Sequence, residues 1–152
     1  MADAHPPGPF PDQSSDVMDK EVPAVPATMK LAVLSDLIAA GDPALSRRQA
    51  VCLLGGQGEL AGIITRGDIV RALRQNEEGD MPVSEAGSLQ LVVAHPDEPL
   101  HDALARMMQH DVGRLPVVHP SEPSRLLGYL GRTAILSARK HQHDEELVRQ
   151  KG

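Results

Sequence analysis

The pattern of hydrophobic and polar positions predicts a series of strands and helices that occurs twice along the chain. In the first half, a short extended piece at residues 21–25 precedes apolar residues at helical spacing: Leu31, Leu34, Leu37 and Ile38. Apolar runs at 50–54 and 60–64 then flank a glycine-rich turn, and a short helix follows Thr65. The pattern predicts strand, helix, hairpin and helix.

The second half has the same order of elements. A strand is predicted at 91–93, and a helix from Leu100, where apolar residues recur at i, i+3, i+4, i+7 and i+8. Strands are then predicted at 115–118 and 126–130, and a last helix near Thr133. The expected helix boundaries are N-caps at Thr28 and Asp97 and a helix end at Gly41.

The two halves overlay as an internal repeat. One constant shift superposes several pairs: Leu60 on Leu126, Gly62 on Gly128, Arg66 on Arg132, Arg48 on Arg114 and Ala50 on Pro116. The first helices need a slightly larger shift, which places Leu31 on Leu100. One such unit is too small to bury its sheet face alone, so the repeat predicts an α+β fold of two β-α-β-β-α units packed with pseudo-twofold symmetry.

Composition divides the chain further. Residues 1–16 contain four prolines and are expected to be a disordered leader. The repeats are expected at 17–76 and 91–140, joined by a polar linker at 77–90, and a charged tail occupies 141–152.

Charge and residue counts exclude several classes of function. The net charge is −6 and there are two aromatic residues, so neither phosphate attraction nor base stacking supports nucleic-acid binding. The single cysteine, Cys52, excludes an internal disulfide and is expected to be an inert core thiol. No apolar run is long enough to span a membrane, and the first residues do not form a secretory signal.

Several stretches carry a family resemblance through their order, spacing and duplication: Val17-Met18, Val22-Pro23-Ala24-Val25, the stretch from Gly58 to Asp68, and Leu115-Pro116-Val117-Val118 leading to Leu126-Leu127-Gly128-Tyr129-Leu130. With these the chain resembles a tandem CBS-domain pair, or Bateman module, over roughly residues 17–140. The resemblance implies a regulatory binding module rather than an enzyme, and a homodimer formed through helices such as the one carrying Met107 and Met108.

Within that superfamily, residues 38–44, 110–116 and 128–132 are similar to the C-terminal module of bacterial ClC-type chloride channels and transporters. This resemblance implies a membrane channel or transporter domain as partner, and a cytoplasmic location beside an inner-membrane protein. The alternatives are regulation of another host, such as a magnesium transporter or a soluble enzyme, and a structural assembly domain that binds no nucleotide.

Resemblance to nucleotide-binding CBS pairs implies a site at Thr65, Arg66 and Asp68, where the aspartate would accept hydrogen bonds from both ribose hydroxyls. The ligand would be ATP, ADP or AMP, and no cofactor is required. The structural alternative is a helix N-cap, since Thr-x-x-Asp is also a capping-box spacing. The second copy has Gly131 and Ala134 at the positions of Thr65 and Asp68, so the module is expected to bind no more than one nucleotide.

No arrangement of residues indicates catalysis or a metal site. The histidines have no metal-ligand spacing, and no acid pair or nucleophile with a partnering base stands out. The glycine-rich segment 55–58 lacks the lysine and helix that a phosphate loop needs, so it is expected to be a hairpin turn.

Overall fold

A computed structural model describes residues 13–45, 50–138 and 140. The elements in chain order are α1 (Ser14–Val17), β1 (Ala24–Pro26), α2 (Leu31–Ala39), β2 (Ala50–Leu54), β3 (Leu60–Thr65), α3 (Arg66–Gln75), α4 (Val83–Ala86), α5 (Leu100–His110), β4 (Arg114–Val118) and β5 (Leu126–Gly131). A last helix, α6, is described over residues 132–138. This mixture of helices and sheets confirms the predicted α+β class. The expected tail at 141–152 and most of the expected leader lie outside the described residues.

Each repeat is built on an antiparallel hairpin. In the first repeat, β2 pairs with β3, and β1 adds to β2 in parallel. In the second repeat, β4 pairs with β5, and Ala94 makes one parallel bridge to Val117. The prediction of a strand at 91–93 is therefore wrong: these residues pair with no other described strand, and the bridge beside them is at Ala94.

The register of the two hairpins corrects the sequence overlay of their first strands. Both hairpins have an irregularity before the last residue of the first strand, and β3 superposes on β5 under the predicted shift. However, Ala50 pairs with Thr65 whereas Arg114 pairs with Gly131, so β2 superposes on β4 under a smaller shift. The second hairpin loop is longer than the first, which a constant shift could not reveal. Ala50 therefore corresponds to Arg114 and not to Pro116, while Arg48 lies outside the described residues.

Each repeat also begins with a helical turn that packs on the other repeat. The turns α1 and α4 superpose under the same shift as α2 and α5. Beyond α1, Asp19 forms an antiparallel bridge with Tyr129 of β5, and beyond α4, Ser88 forms one with Ile63 of β3. The last residues of the expected leader and part of the expected linker are thus ordered parts of the fold.

The core has three parts. One lies in the first repeat around Leu31, Leu34 and Ile64, and a second lies in the second repeat around Met107, Leu115 and Leu130. A third cluster lies between the two sheets and contains the buried residues Cys52, Leu60, Val118 and Tyr129. This shared cluster joins the repeats into one packed unit, as the pseudo-twofold prediction requires.

The helix boundaries correct two expectations and confirm one. The N-caps of α2 and α5 are Lys30 and Pro99, not Thr28 and Asp97, because each helix begins at the first apolar residue of its pattern, Leu31 or Leu100, and not before it. Gly41 has a φ of +82° directly after the C-cap of α2, which ends that helix as expected. Among the described helices, none has the length and apolar character needed to cross a membrane.

Candidate ligand site at one edge of the first sheet

The register of the first sheet brings three chain segments to one edge. Because β1 and β2 are parallel and β3 is antiparallel to β2, the starts of β1 and β2 lie beside the end of β3. The loops that lead into β1 and β2 and the first turn of α3 therefore meet there. Side chains from distant parts of the sequence can face one ligand at such an edge.

Thr65 and Asp68 form a capping box at the start of α3. The backbone N–H of Thr65 donates to Oδ2 of Asp68 over 2.9 Å, and the backbone N–H of Asp68 donates to Oγ1 of Thr65 over 3.1 Å. The guanidinium of Arg71 donates to the other carboxylate oxygen of Asp68. The helix-cap interpretation of Thr-x-x-Asp is therefore confirmed, and the nucleotide role of these residues stays a prediction.

The Asp68 side chain keeps an exposed fraction of 18%. Its partner Arg71 is an exposed side chain, with an exposed fraction of 69%, and such long surface side chains exchange partners at low cost. A ligand hydroxyl can therefore replace the Arg71 contact while the bond to the Thr65 N–H continues to orient the carboxylate.

Arg66 is the first residue of α3, but its side chain lines a different feature. It borders an open groove of about 230 Å³ between α2 and α3, whose other lining residues are Ser35, Ile38, Ala39, Ile69 and Val70. Thr65 and Asp68 are not among the residues that line this groove.

A larger cavity, of about 340 Å³, lies among the loops that lead into the sheet. Its lining residues are Glu21, Val22, Pro23, Asp42, Pro43 and Ala44. No motif in the sequence marks these residues as a site. The available signal was the long helix-to-strand loop of the first repeat, which supplies residues 42–44 and has a much shorter counterpart in the second repeat.

The walls of this cavity are held by hydrogen bonds from backbone N–H groups. The carbonyl of Pro23 accepts from the Cys52 N–H over 2.8 Å, and Oδ1 of Asp42 accepts from the Ala44 N–H over 2.9 Å. Thr65 ends β3, and β3 lies two strands from β1, so the two chains are about 10 Å apart at this edge.

Cys52 lies beneath this edge in the cluster between the repeats. It is fully buried, and burial raises the pKa of its thiol to about 12. A thiol with that pKa is neutral at physiological pH, so its environment is that of a core residue rather than a nucleophile.

At the equivalent edge of the second repeat, Thr65 and Asp68 have no polar counterparts. There Gly131 ends β5 and the exposed Ala134 occupies the position of Asp68. The N–H of Arg132 donates to the carbonyl of Gly113, so the start of α6 is tied to the loop before β4. The described part of this edge thus offers no carboxylate at the position that Asp68 occupies in the first repeat. In the described ranges, no group of three or more His, Cys, Asp or Glu side chains could hold a metal ion.

Comparison with known proteins agrees with this duplicated architecture. The family model for the CBS domain matches residues 15–75 and 80–141.

Two curated relatives match shorter segments. The CBS domain-containing protein YhcV of Bacillus subtilis (strain 168) is 44% identical over 63 residues, which are 41% of this chain and 45% of that protein. The L-aspartate semialdehyde sulfurtransferase of Methanocaldococcus jannaschii is 36% identical over 61 residues, which are 40% of this chain and 11% of the enzyme. The matched segments thus span less than half of either relative.

Solved structures show the same fold. The CBS domain pair of protein MJ0100, in complex with 5′-methylthioadenosine and S-adenosyl-L-methionine, has a TM-score of 0.73 at 21% identity and covers 87% of this chain and 99% of that one. CBSX2 in complex with AMP has a TM-score of 0.73 at 16% identity, with coverages of 88% and 99%. The cytosolic domain of the Mg²⁺ channel MgtE in complex with ATP has a TM-score of 0.70 at 21% identity, covering 83% of this chain and 48% of that one. With both repeats matched by the family model, the chain belongs to the CBS domain family as a tandem pair.

Proposed function

We propose that this CBS pair is a regulatory module that binds one adenosine nucleotide at the edge of its first sheet. The observation that carries the proposal is the placement of a cavity and an oriented carboxylate, that of Asp68, at the same edge. The second repeat has Ala134 at the corresponding position, so the proposal assigns one nucleotide to each chain.

The chemistry of the edge suits such a ligand. A carboxylate offers two acceptor oxygens to the vicinal diol of a ribose. The first turn of α3 points its backbone N–H groups toward the same edge, where a phosphate is favoured. Solved CBS proteins of the same fold hold AMP, ATP, or 5′-methylthioadenosine with S-adenosyl-L-methionine, which supports an adenosine ligand.

The module would act through linkage with a host. A ligand shifts the equilibrium between two states of a host only if it binds the two states with unequal affinity. An edge built from three chain segments is suited to this, because a change in the relative position of the segments changes the affinity.

We infer that the host is a membrane transport protein of the ClC chloride channel type. Residues 38–44, 110–116 and 128–132 support this through their similarity to the C-terminal modules of such proteins. The fold shared with the cytosolic domain of the Mg²⁺ channel MgtE supports a transport host in general. The relative that is a sulfurtransferase supports an enzyme as the alternative host. The adjoining coding sequence distinguishes the two: a ClC permease supports the first, and a soluble enzyme supports the second.

We also infer that two copies of the chain associate through their outer helices. The exposed hydrophobic residues Val70 of α3, Met108 of α5 and Leu136 of α6 support a homodimer.

Isothermal titration with ATP, ADP and AMP tests the proposed site. Asp68→Ala is expected to abolish binding, but it also removes half of the capping box. Asp68→Asn separates the two roles, since its amide oxygen can still accept from the Thr65 N–H but offers the ribose one acceptor instead of two. We expect Asp68→Asn to weaken binding about tenfold or more and to leave the thermal midpoint nearly unchanged.

The matched control is Asp102→Asn, which changes another aspartate in the first turn of a helix, here α5. Its nucleotide affinity should equal that of the wild type. If Asp68→Asn binds as tightly as the wild type, Asp68 does not hold the ribose. If no nucleotide binds to the wild type, the structural assembly alternative replaces the proposed function.

A further inference from the structure

The cavity in the first repeat has a wall that is fixed at one end to the second repeat. Residues 19–23, here called the strap, run from the second sheet to the first. At the start of the strap, the N–H of Asp19 donates to the carbonyl of Tyr129 over 2.8 Å, and the N–H of Tyr129 donates back to the carbonyl of Asp19 over 2.9 Å. At its end, the carbonyl of Pro23 accepts from the Cys52 N–H over 2.8 Å.

The strap is the part of the chain that lines the cavity on one side. Glu21, Val22 and Pro23 lie on the cavity surface, opposite the loop after α2. Val22 also packs against the buried cluster between the sheets, which contains Tyr129. Only one residue, Lys20, separates Asp19 from the first lining residue, so a displacement of Asp19 must be transmitted to the cavity wall.

The docking of the strap on β5 depends on a glycine. A Cβ at Gly128 would lie 2.5 Å from Sδ of Met18 and 3.2 Å from the carbonyl oxygen of Asp19. The lack of a side chain at Gly128 therefore allows Met18 and Asp19 to approach the second sheet closely.

We propose that Gly128 and Met18 of this contact are positioning residues for the ligand of the first repeat, so that the second repeat controls the affinity of the first. This rests on the proposed nucleotide site for its binding readout, while the position of the strap can be measured without any ligand. In this arrangement the second repeat contributes to ligand binding in the first repeat, although it has Ala134 at the position of Asp68.

The pseudo-symmetry of the fold supplies a matched control. Gly62 occupies in β3 the position that Gly128 has in β5, and a Cβ there would lie 2.8 Å from the carbonyl oxygen of Ser88. That clash meets backbone and is at least as severe as the one at Gly128, but it displaces the segment after α4. None of the residues named at the Gly62 contact lines the cavity.

The experiment compares Gly128→Val with Gly62→Val in the full chain. We expect Gly128→Val to weaken AMP binding about tenfold by titration calorimetry, and to reduce the hydrogen-exchange protection of the Cys52 amide by a similar factor. Gly62→Val should leave the AMP affinity within about twofold of the wild type, because the atoms that its new side chain meets belong to Ser88, Leu89 and Leu53, which do not line the cavity. Equal losses of AMP affinity in the two variants, or no effect of Gly128→Val on the Cys52 amide, would overturn the inference.

A second pair of variants removes volume instead of adding it, in case valine prevents folding. Met18→Ala removes the side chain that covers Gly128, and Leu89→Ala removes the one that lies beside Gly62. Faster exchange of the Cys52 amide in Met18→Ala alone supports the strap, and equal exchange in both contradicts it. If the wild type binds no AMP, the proposed function fails, and the exchange measurement still decides the role of the strap.

Discussion

A single ion pair fixes the region where the first helical turn docks on the second repeat. Arg106 donates to both carboxylate oxygens of Glu98 and to the carbonyl of Val93, and the exposed fractions of the two charged side chains are 32% and 11%. The backbone carbonyl of Glu98 in turn accepts from the N–H and the hydroxyl of Ser14. Glu98 thus connects α1 to α5 through Ser14 and Arg106. The pattern of hydrophobic residues does not predict this connection, because it is made by polar groups.

The pKa of Glu98 reflects two opposing effects. Burial by itself raises this pKa, but the hydrogen bonds from Arg106 and from the His95 N–H, together with the charges of Arg106 and His95, hold it below the ordinary value of 4.5. A carboxylate whose pKa is lowered by folding stabilises the fold above its unfolded pKa. That contribution is lost as the pH falls from about 4.5 through the lowered pKa of the folded state.

Replacement of Arg106 by methionine should therefore be costly near neutral pH. The change leaves a largely buried carboxylate without its cation, and we expect a loss of about 2 kcal/mol in the free energy of unfolding, between the values for exposed and fully buried pairs. Urea denaturation at pH 7 and pH 3 measures this, and the difference from the wild type should shrink at pH 3. The control is Arg125→Met, whose pair with Glu122 is exposed on both sides. A loss that is equally large at pH 3 would show that packing, not the ion pair, is responsible.

At the level of elements, the sequence predicts the helices and strands whose apolar residues recur with a clear period. Both hairpins, the helices α2, α3 and α5, and the cap at Thr65 follow from apolar spacing and turn residues. The turns α1 and α4 could not be predicted, because four residues are too few to show a helical period and their stability comes from docking on the other repeat. The correct overlay of β2 on β4 could not be predicted either. Under the predicted shift Val51 overlays Val117, and under the correct shift apolar residues overlay one another equally well.

The helical turn α4 provides a test of whether the segment between the repeats is part of the fold. Val83 lies in the expected linker, yet it is fully buried and packs against the core of the first repeat. Its N–H donates to the carbonyl of Met29 over 2.8 Å. We expect Val83→Ala to reduce the free energy of unfolding by about 2 kcal/mol, as for other aliphatic truncations in a core.

The measurement is equilibrium denaturation in urea, with Leu89→Ala as the control from the same segment. Leu89 has an exposed fraction of 64%, so its truncation should change stability by less than about 0.5 kcal/mol. If the two variants were equally stable, the segment would be a connector that contributes nothing to the first repeat.

At the scale of the whole molecule, the pseudo-twofold arrangement leaves hydrophobic side chains on the outer helices of both repeats. Val33 and Val70 have exposed fractions of 46% and 50%, and Met108 and Leu136 have exposed fractions of 67% and 50%. Val70 and Leu136 superpose under the shift that relates β3 to β5, so they occupy equivalent positions on α3 and α6. The neighbouring Met107 is fully buried, so the two methionines of α5 divide between the core and this outer face. Exposed apolar positions of this kind suit a twofold contact, in which each copy of the chain contributes the same surface.

Glutamate at these two positions tests the homodimer directly. We expect the sedimentation coefficient of the wild type to rise with concentration, and the double variant Val70→Glu, Leu136→Glu to sediment as a monomer, because a carboxylate buried in an apolar contact is strongly unfavourable. Each single variant should weaken association by an intermediate amount, since the proposed contact includes helices of both repeats. Leu89→Glu is the control, because Leu89 is also an exposed hydrophobic residue but lies outside the outer helices. Circular dichroism confirms that each variant is folded. If the wild type is a monomer at every concentration, or if Leu89→Glu disrupts the dimer as strongly as the double variant, the outer helices are not the contact between copies.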